Sequence, residues 1–231
     1  MRTMMTGLVV LTLMAPVAAA GQVSDNEAKR IQEAAAVLKE LHGMPDKDIP
    51  QTLWSKAKCA AVIPGLKRAA FVVGGEYGKG LMSCRTADGW SAPSFIQIAK
   101  GTWGAQIGGA EVDLVMLVMN DRGLEKLLKN KVTLGAEASA AAGPVGRDAQ
   151  AATDAQLQAE ILAWSRSRGL FAGVNLGGGV LKPDDESNQN LYGKTVAPRD
   201  VLVEAKVTLP AAARPFIAAL REHDVPVTSQ R

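Results

Sequence analysis

Two features of this sequence could carry catalysis or bind a metal: the histidines, and a segment at 184–190 whose side chains offer many oxygen atoms, here called the oxygen-rich segment. The two histidines, His42 and His223, lie in the terminal regions and match no hydrolase triad and no zinc spacing. The oxygen ligands between Asp184 and Asn190 could suit a hard cation such as calcium, but their spacing is not that of an EF-hand, and a solvated turn is the favoured alternative. The sequence therefore predicts no enzyme, no catalytic residue, no metal ligand and no cofactor.

Two glycine-rich segments could bind a nucleotide. In Gly74–Gly80, GGEYGKG, Lys79 is followed by glycine where a phosphate loop needs Ser or Thr for magnesium. A hairpin turn is the better interpretation of this segment. The triple glycine at 177–179 lacks the acidic ribose partner of a dinucleotide fold. Neither segment predicts a nucleotide site.

Basic side chains occur in small clusters that would suit an anionic membrane surface. Each cation near such a surface contributes roughly 1 kcal/mol, so several together could hold a protein weakly and reversibly. The alternatives are a solvated helix face for Lys29 and Arg30, and a hydrogen bond to backbone carbonyls for Arg147, which follows the turn at 143–146. The candidate lipid-binding residues are Lys29, Arg30, Lys67, Arg68, Arg147, Arg166 and Arg168.

Composition and the amino-terminal segment indicate an exported, single-domain protein. A chain of 231 residues with 47% hydrophobic content can bury one core, and a net charge of +3 is too small to indicate nucleic-acid binding. Residues 1–20 carry Arg2, an apolar stretch and three small residues ending at Ala20, which is typical of a signal peptide. We expect cleavage near Ala20, one domain over 21–231, and a periplasmic or secreted location.

The two cysteines, Cys59 and Cys84, could form a disulfide in an oxidising compartment. The alternative is that each is a small, buried apolar side chain. The distance between the two Cα atoms decides between these interpretations.

Helical spacing predicts helices at both ends of the chain and one in the middle. Ser24 and Glu27 form a capping box, and the helix they begin should end at Gly43. A short helix should follow Pro50. Further helices are predicted at 122–129 and, after Pro210, around Phe216, Ile217 and Leu220.

From Ala60 the apolar pattern changes to period two, which predicts strands. A hairpin should join 71–73 to 81–85, and the strand at 112–119 should be buried on both faces. Alanines at 132–142 leave strand and helix open, whereas Leu170–Leu176 alternates as a strand. The predicted fold is α+β: a curved, largely antiparallel β-sheet or barrel-like sandwich with N-terminal, middle and C-terminal helices.

Four separated motifs resemble one family. They are WSAP at 90–93, GAQIG at 104–108, GPVGR at 143–147 and WSRSRGLFAG at 164–173. Their order is similar to that of the SYLF domain, also called Ysc84-type or DUF500, over roughly residues 30–205. Trp164 and Arg168 stand where that family usually has Tyr and Lys.

This resemblance implies a non-enzymatic lipid-binding module. Eukaryotic SYLF proteins bind phosphoinositide membranes and some also bind actin filaments, while bacterial members resemble envelope lipid binders. For an exported chain of bacterial type we expect an anionic phospholipid membrane surface as partner, with no nucleic acid and no actin. The alternative function is a protein-interaction module of the envelope that does not bind lipid directly and whose partner is unknown.

Overall fold

The computed structural model describes residues 22–43, 49–145, 158–167 and 170–224, without the side chains of 70–73 and 102–108. The predicted signal segment, Arg147 and Arg168 lie outside the described residues. The helices are α1 (Asp25–His42), α2 (Gln51–Lys56), α3 (Asp121–Leu127), α4 (Asp185–Tyr192), α5 (Pro198–Leu202) and α6 (Arg214–Glu222). The strands are β1 (Cys59–Thr86), β2 (Gly89–Trp90), β3 (Ser94–Val118), β4 (Val132–Thr133), β5 (Ala140–Ala142), β6 (Ile161–Ser167), β7 (Leu170–Gly173) and β8 (Val180–Pro183).

The amino-terminal helix begins as its capping box predicts. The Glu27 amide donates to Ser24 Oγ at 3.3 Å, and the Ser24 amide donates to Glu27 Oε2 at 2.8 Å. Ile31, Leu38 and Leu41 recur on one face and are fully buried. This stripe determines which face of α1 packs on the sheet. The remaining faces of the helix carry the charged side chains.

A long antiparallel ribbon of β1 and β3 forms the spine of the sheet. Its register runs from Cys59 opposite Val118 to Met82 opposite Ser94, with irregularities between Ile63 and Leu66 and between 71 and 73. On its other edge β3 pairs with β8 near one end and with β6 near the other. The eight-stranded sheet is mostly antiparallel, and only β5 with β6 runs parallel among its named strand pairs. The predicted α+β class with a curved antiparallel sheet is confirmed.

The predicted hairpin at GGEYGKG is wrong. These residues continue β1, because Gly75 pairs with Gly101 and Gly78 with Ile98 on β3. Glycine inside a strand marks a close approach of another backbone as readily as a turn. Here the other backbone is the first half of β1.

β1 crosses over itself at two of these glycines. A Cβ placed on Gly80 would lie 2.0 Å from the Val62 carbonyl oxygen, and one on Gly78 would lie 2.6 Å from Ile63 Cγ2. The absence of a side chain is therefore what permits the crossing. It bends the ribbon so that its two ends meet.

A disulfide joins the two ends of β1. Cys59 and Cys84 have their sulfurs 2.09 Å apart and their Cα atoms 3.9 Å apart, and the Arg85 amide donates to the Lys58 carbonyl at 2.7 Å. The bridged cysteines are both buried. The crosslink closes the loop that the crossing creates.

Apolar side chains cover both faces of the spine, as predicted for 112–119. Val115 and Leu117 pack under α1 and α6, whereas Leu114, Met116 and Val118 pack on the opposite face with α5. This alternation is the period-two pattern of a strand buried on both sides. None of the described helices combines the length and apolarity needed to cross a membrane.

Three other predicted segments differ from the structure. Of 132–142, only β4 and β5 are strands, since a turn at Gly135, with a φ of 83°, interrupts the run. The strand from Leu170 ends at Gly173. The oxygen-rich segment is helix α4, not a loop. The local residue patterns did not predict the turn at Gly135 or the helix α4.

The end of α6 is anchored by a buried histidine. His223 is 1% exposed, its Nε2 lies 2.9 Å from the Leu38 carbonyl oxygen, and its ring centroid is 4.4 Å from that of Trp54. Burial, together with the nearby His42 ring, lowers the pKa of His223 to about 4, although the Leu38 bond and Asp224 oppose this. The neutral imidazole donates to Leu38, so α6 is attached to α1.

We expect Gly80→Ala to lower the free energy of unfolding by about 3 kcal/mol, because the added methyl must displace the Val62 backbone. Urea unfolding of the purified protein measures this. Gly101→Ala is the matched control, since a Cβ there meets nothing within 4 Å. Equal stabilities for the two variants would contradict the crossing.

We expect His223 to make the protein less stable as pH falls from about 6.5 to 4. The unfolded chain takes up this proton near pH 6.5, whereas the folded protein takes it up only near 4. The free energy of unfolding should lose up to about 3 kcal/mol across that window from this residue. Urea unfolding of His223→Gln across pH 4–7 should give a shallower slope of stability against pH than wild type. Parallel curves for His223→Gln and wild type would contradict this assignment.

Candidate functional site

Cationic residues from α1 and β1 line a cavity of about 330 Å³ beside the strand crossing. We call this cavity the cationic pocket. Its wall on α1 consists of Asn26, Lys29, Arg30 and Glu33. Its other walls consist of Pro64, Gly65, Lys67, Tyr77, Gly78, Lys79 and Glu111.

The α1 wall follows from helical geometry. Positions 26, 29, 30 and 33 are spaced by three and four residues, so they share the flank next to the buried stripe. The strand wall depends on the irregularity between Ile63 and Leu66, where Gly65 has a φ of 57°. The Gly65 amide donates to Asp113 Oδ1 at 2.9 Å, which fixes this bulge against β3.

The cations of this pocket differ in how far they are already neutralised. Lys79 contacts Asp184 at 2.8 Å, and this hydrogen bond raises the pKa of Lys79. Lys29 lies 3.6 Å from Glu33 in an exposed pair, which is worth little. Within the described part of the chain, Arg30 and Lys67 contact no carboxylate. Arg30 lies over the Phe95 ring, 5.8 Å from its centroid, and Lys67 lies opposite Glu111 in the β1–β3 register, so both can still contact an anionic ligand.

A second cavity of about 240 Å³ continues the first, and we call it the acidic pocket. The two share Glu33, Pro64, Gly65 and Glu111 as walls. The acidic pocket adds the carboxylates of Glu40 and Asp113 and the guanidinium of Arg166. Together the two pockets form one charged cleft, cationic at one end and acidic at the other.

Arg166 is held by carboxylates. Its Nε and Nη2 lie 2.7 and 2.5 Å from Asp113 Oδ2, and it also contacts Glu40. Burial raises the pKa of Asp113, as do Glu111 and Glu33, while the hydrogen bond from the Gly65 amide opposes this rise. The predicted lipid ligand Arg166 therefore occupies an internal ion-pair network.

The other predicted lipid ligands also separate in space. Lys67 and Arg68 are consecutive on β1, so they point to opposite faces of the strand. Arg68 Nε lies 3.3 Å from Glu76 Oε1, without the alignment of a hydrogen bond. Lys29, Arg30 and Lys67 meet in the charged cleft, whereas Arg147 and Arg168 lie outside the described residues.

Sequence reasoning missed Lys79 and Glu111 as parts of the cleft. The hairpin interpretation of GGEYGKG places Lys79 in a turn, and Glu111 is an exposed acid on β3. Only the strand crossing brings Lys79 next to Lys67. The glycine spacing of GGEYGKG was the one available signal of a close backbone approach.

The oxygen-rich segment is used for packing. Asp184 pairs with Lys79 and accepts from Ser187 Oγ at 2.8 Å. Asn188 Oδ1 accepts from the Phe95 amide at 2.7 Å, and its Nδ2 donates to the Phe95 carbonyl at 3.0 Å. No cluster of three or more metal-binding side chains occurs among the described residues.

Trp90 of the WSAP motif packs in the core. It is 6% exposed, and its Nε1 donates to Asp224 Oδ2 at 2.9 Å. In the same motif, Ser91 Oγ accepts from the Cys84 amide at 3.1 Å. The motif is thus a corner that joins β1 to the carboxyl-terminal helix.

Comparison with known proteins identifies one family. The family model Ysc84, described as "Las17-binding protein actin regulator", matches residues 99–223, more than half of the chain. SH3 domain-containing YSC84-like protein 1 of Bos taurus is 34% identical over 205 residues, which cover 86% of this chain and 60% of the relative. Protein YSC84 of Saccharomyces cerevisiae is 35% identical over 179 residues, covering 76% of this chain and 38% of the relative.

The expectation that actin is not a partner is contradicted by these matches. The family description names an actin regulator, and a further yeast relative, 34% identical over 76% of this chain and 39% of its own length, is named LAS seventeen-binding protein 3. These names describe binding or regulatory proteins rather than enzymes. The chain spans 38 to 60% of the length of the curated relatives cited here, so their activities as whole proteins do not transfer directly.

We expect Arg166→Gln to lower the free energy of unfolding by about 2 kcal/mol, because Asp113 keeps a half-buried charge without its partner. Urea unfolding at pH 7 measures this. Arg199→Gln, which breaks the exposed pair with Glu125, should cost less than about 1 kcal/mol. If Arg166→Gln is as stable as wild type but loses affinity for anionic vesicles, Arg166 is a ligand and this assignment is wrong.

Proposed function

This chain belongs to the Ysc84 family, and we propose that it is a non-enzymatic module that binds phospholipid membrane surfaces through its charged cleft. The observation that carries this proposal is the meeting of Lys29, Arg30 and Lys67 around one cavity. Two of these cations, Arg30 and Lys67, contact no carboxylate of the described residues. Unneutralised cations that share a concave site favour an anionic ligand.

The side chains of the cleft suit a phosphate at a membrane surface. The planar guanidinium of Arg30 can bind two phosphate oxygens at once, and Lys67 supplies a mobile point charge. Tyr77 at the cleft is 46% exposed and hydrogen-bonds to Gln97 at 3.3 Å, so its ring can lie at a lipid headgroup layer. Three cations at roughly 1 kcal/mol each predict weak, reversible association.

The proposal places this binding in the cell envelope. The Cys59–Cys84 disulfide supports an oxidising compartment, where such crosslinks persist. Export through residues 1–20 stays a prediction, since these residues lie outside the described part of the chain.

A second candidate function is binding to a protein of the actin machinery. It is favoured by the family description and by the names of the yeast relatives. Cosedimentation with actin filaments in the absence of lipid tests it separately from membrane binding.

We expect the protein to float with vesicles of phosphatidylglycerol and phosphatidylcholine more strongly than with phosphatidylcholine alone. The variant Arg30→Gln/Lys67→Gln removes two cations and should weaken this binding about 30-fold. The binding should also weaken between 0.1 and 1 M salt, because the Debye length falls from about 10 to 3 Å.

Lys182→Gln/Lys194→Gln is the matched control, since it removes the same charge from exposed positions that do not line either pocket of the cleft. Both double variants should keep the wild-type unfolding midpoint. Equal losses in the two variants would show that net charge rather than the cleft binds the membrane. If wild type binds no vesicle but sediments with actin filaments, the second function replaces the first.

A further inference from the structure

The charged cleft contains both cationic and anionic side chains. This limits which phosphate-containing ligands can bind in it. Arg30 and Lys67 lie at the cationic end. Glu111 lines both pockets and therefore sits at the boundary between the two ends. A ligand that fills the cleft must meet cations and a carboxylate together.

Glu111 lies opposite Lys67 in the β1–β3 register but is not ion-paired with it, so its carboxylate can meet a ligand. Arg166 pairs with Asp113 and Glu40, and Lys29 contacts Glu33. Among the described residues Glu111 forms no ion pair, and its side chain is exposed.

The Glu111 carboxylate lies close to the backbone of Gly65. A Cβ on Gly65 would lie 2.6 Å from Glu111 Oε1, so the carboxylate rests against the bare backbone of the bulge. A glycine at position 65 therefore leaves room for the Glu111 carboxylate beside the bulge.

We infer that the cleft recognises a zwitterionic phosphate ester, namely a phosphodiester that carries a primary ammonium, as in a phosphoethanolamine headgroup. The phosphate contacts Arg30 and Lys67, and the ammonium contacts Glu111. This inference rests on the proposed function and names the headgroup of the same site. The ester can belong to a membrane lipid or to a small soluble phosphodiester, because both present the same group.

Two alternative headgroups fit the cleft less well. A quaternary ammonium has no N–H to donate and is recognised by aromatic faces, but Tyr77 is the one aromatic residue among the described walls of the two pockets. A headgroup with several phosphates and no amine would place its extra negative charge beside Glu111 and Glu33, which repel it. A primary ammonium donates to a carboxylate with up to three N–H groups.

The test uses small soluble esters, which avoid effects of bilayer packing. The mature chain is titrated with glycerophosphoethanolamine and with glycerophosphocholine, and amide chemical shifts are followed by NMR. We expect glycerophosphoethanolamine to bind at least about fivefold more tightly, with shifts at Gly65, Lys67 and Glu111. A fivefold preference corresponds to about 1 kcal/mol, the size of one exposed charge contact.

Glu111→Gln should abolish the preference for glycerophosphoethanolamine over glycerophosphocholine. Glu222→Gln removes an exposed carboxylate on α6 that lines neither pocket and should retain the preference. Vesicles that contain phosphatidylglycerol with either phosphatidylethanolamine or phosphatidylcholine extend the comparison to membranes. A preference in both assays identifies a membrane lipid, and a preference for the soluble ester alone identifies a small phosphodiester.

Equal affinity for the two esters, or a preference that survives in folded Glu111→Gln, overturns the inference. In that case flotation with phosphatidylglycerol vesicles leaves the proposed function standing. Failure of wild type to bind those vesicles and both esters overturns the proposed function and the inference together. Lys67→Gln gives a second check. It should weaken the binding of both esters equally and leave the ratio of their affinities unchanged.

Discussion

The crossing of β1 over itself is the contact on which the rest of the structure depends. At Gly80 and Gly78 the strand passes so close to Val62 and Ile63 that no side chain fits between them. The Cys59–Cys84 disulfide joins the ends of the same strand. Because the ribbon bends at this crossing, Lys67 and Lys79, twelve positions apart on one strand, line one pocket.

Ion pairing then decides which cations can bind a ligand. Arg166 faces Asp113 and Glu40 inside the protein, and Lys79 faces Asp184. Such half-buried pairs are costly to break, so these cations are committed to structure. Arg30 and Lys67 lack such partners among the described residues, and the function proposed for the cleft follows from that difference.

Several parts of the fold could be predicted because they depend on neighbours in sequence. The capping box of Ser24 and Glu27 and the alternation at 112–119 are local patterns. The structure contains the helix start and the doubly buried strand that they predict. The hairpin assigned to GGEYGKG failed because glycine permits both a turn and a backbone crossing. The pairing of β1 with β3 decides between these two, and it is not a local property.

The sequence alone determined the fold class, the positions of most helices, the two-sided burial of the central strand and the list of basic residues. Each depends on periodicity or composition within a short segment. The tertiary structure decided which basic residues meet: Lys29, Arg30 and Lys67 share a cleft, while Arg68 and Arg166 face acids. It also placed Glu111 between the two pockets. Ion pairs and phosphate contacts form only when the groups lie within a few ångströms, and the distances between residues of different elements are set only once the strand has crossed itself.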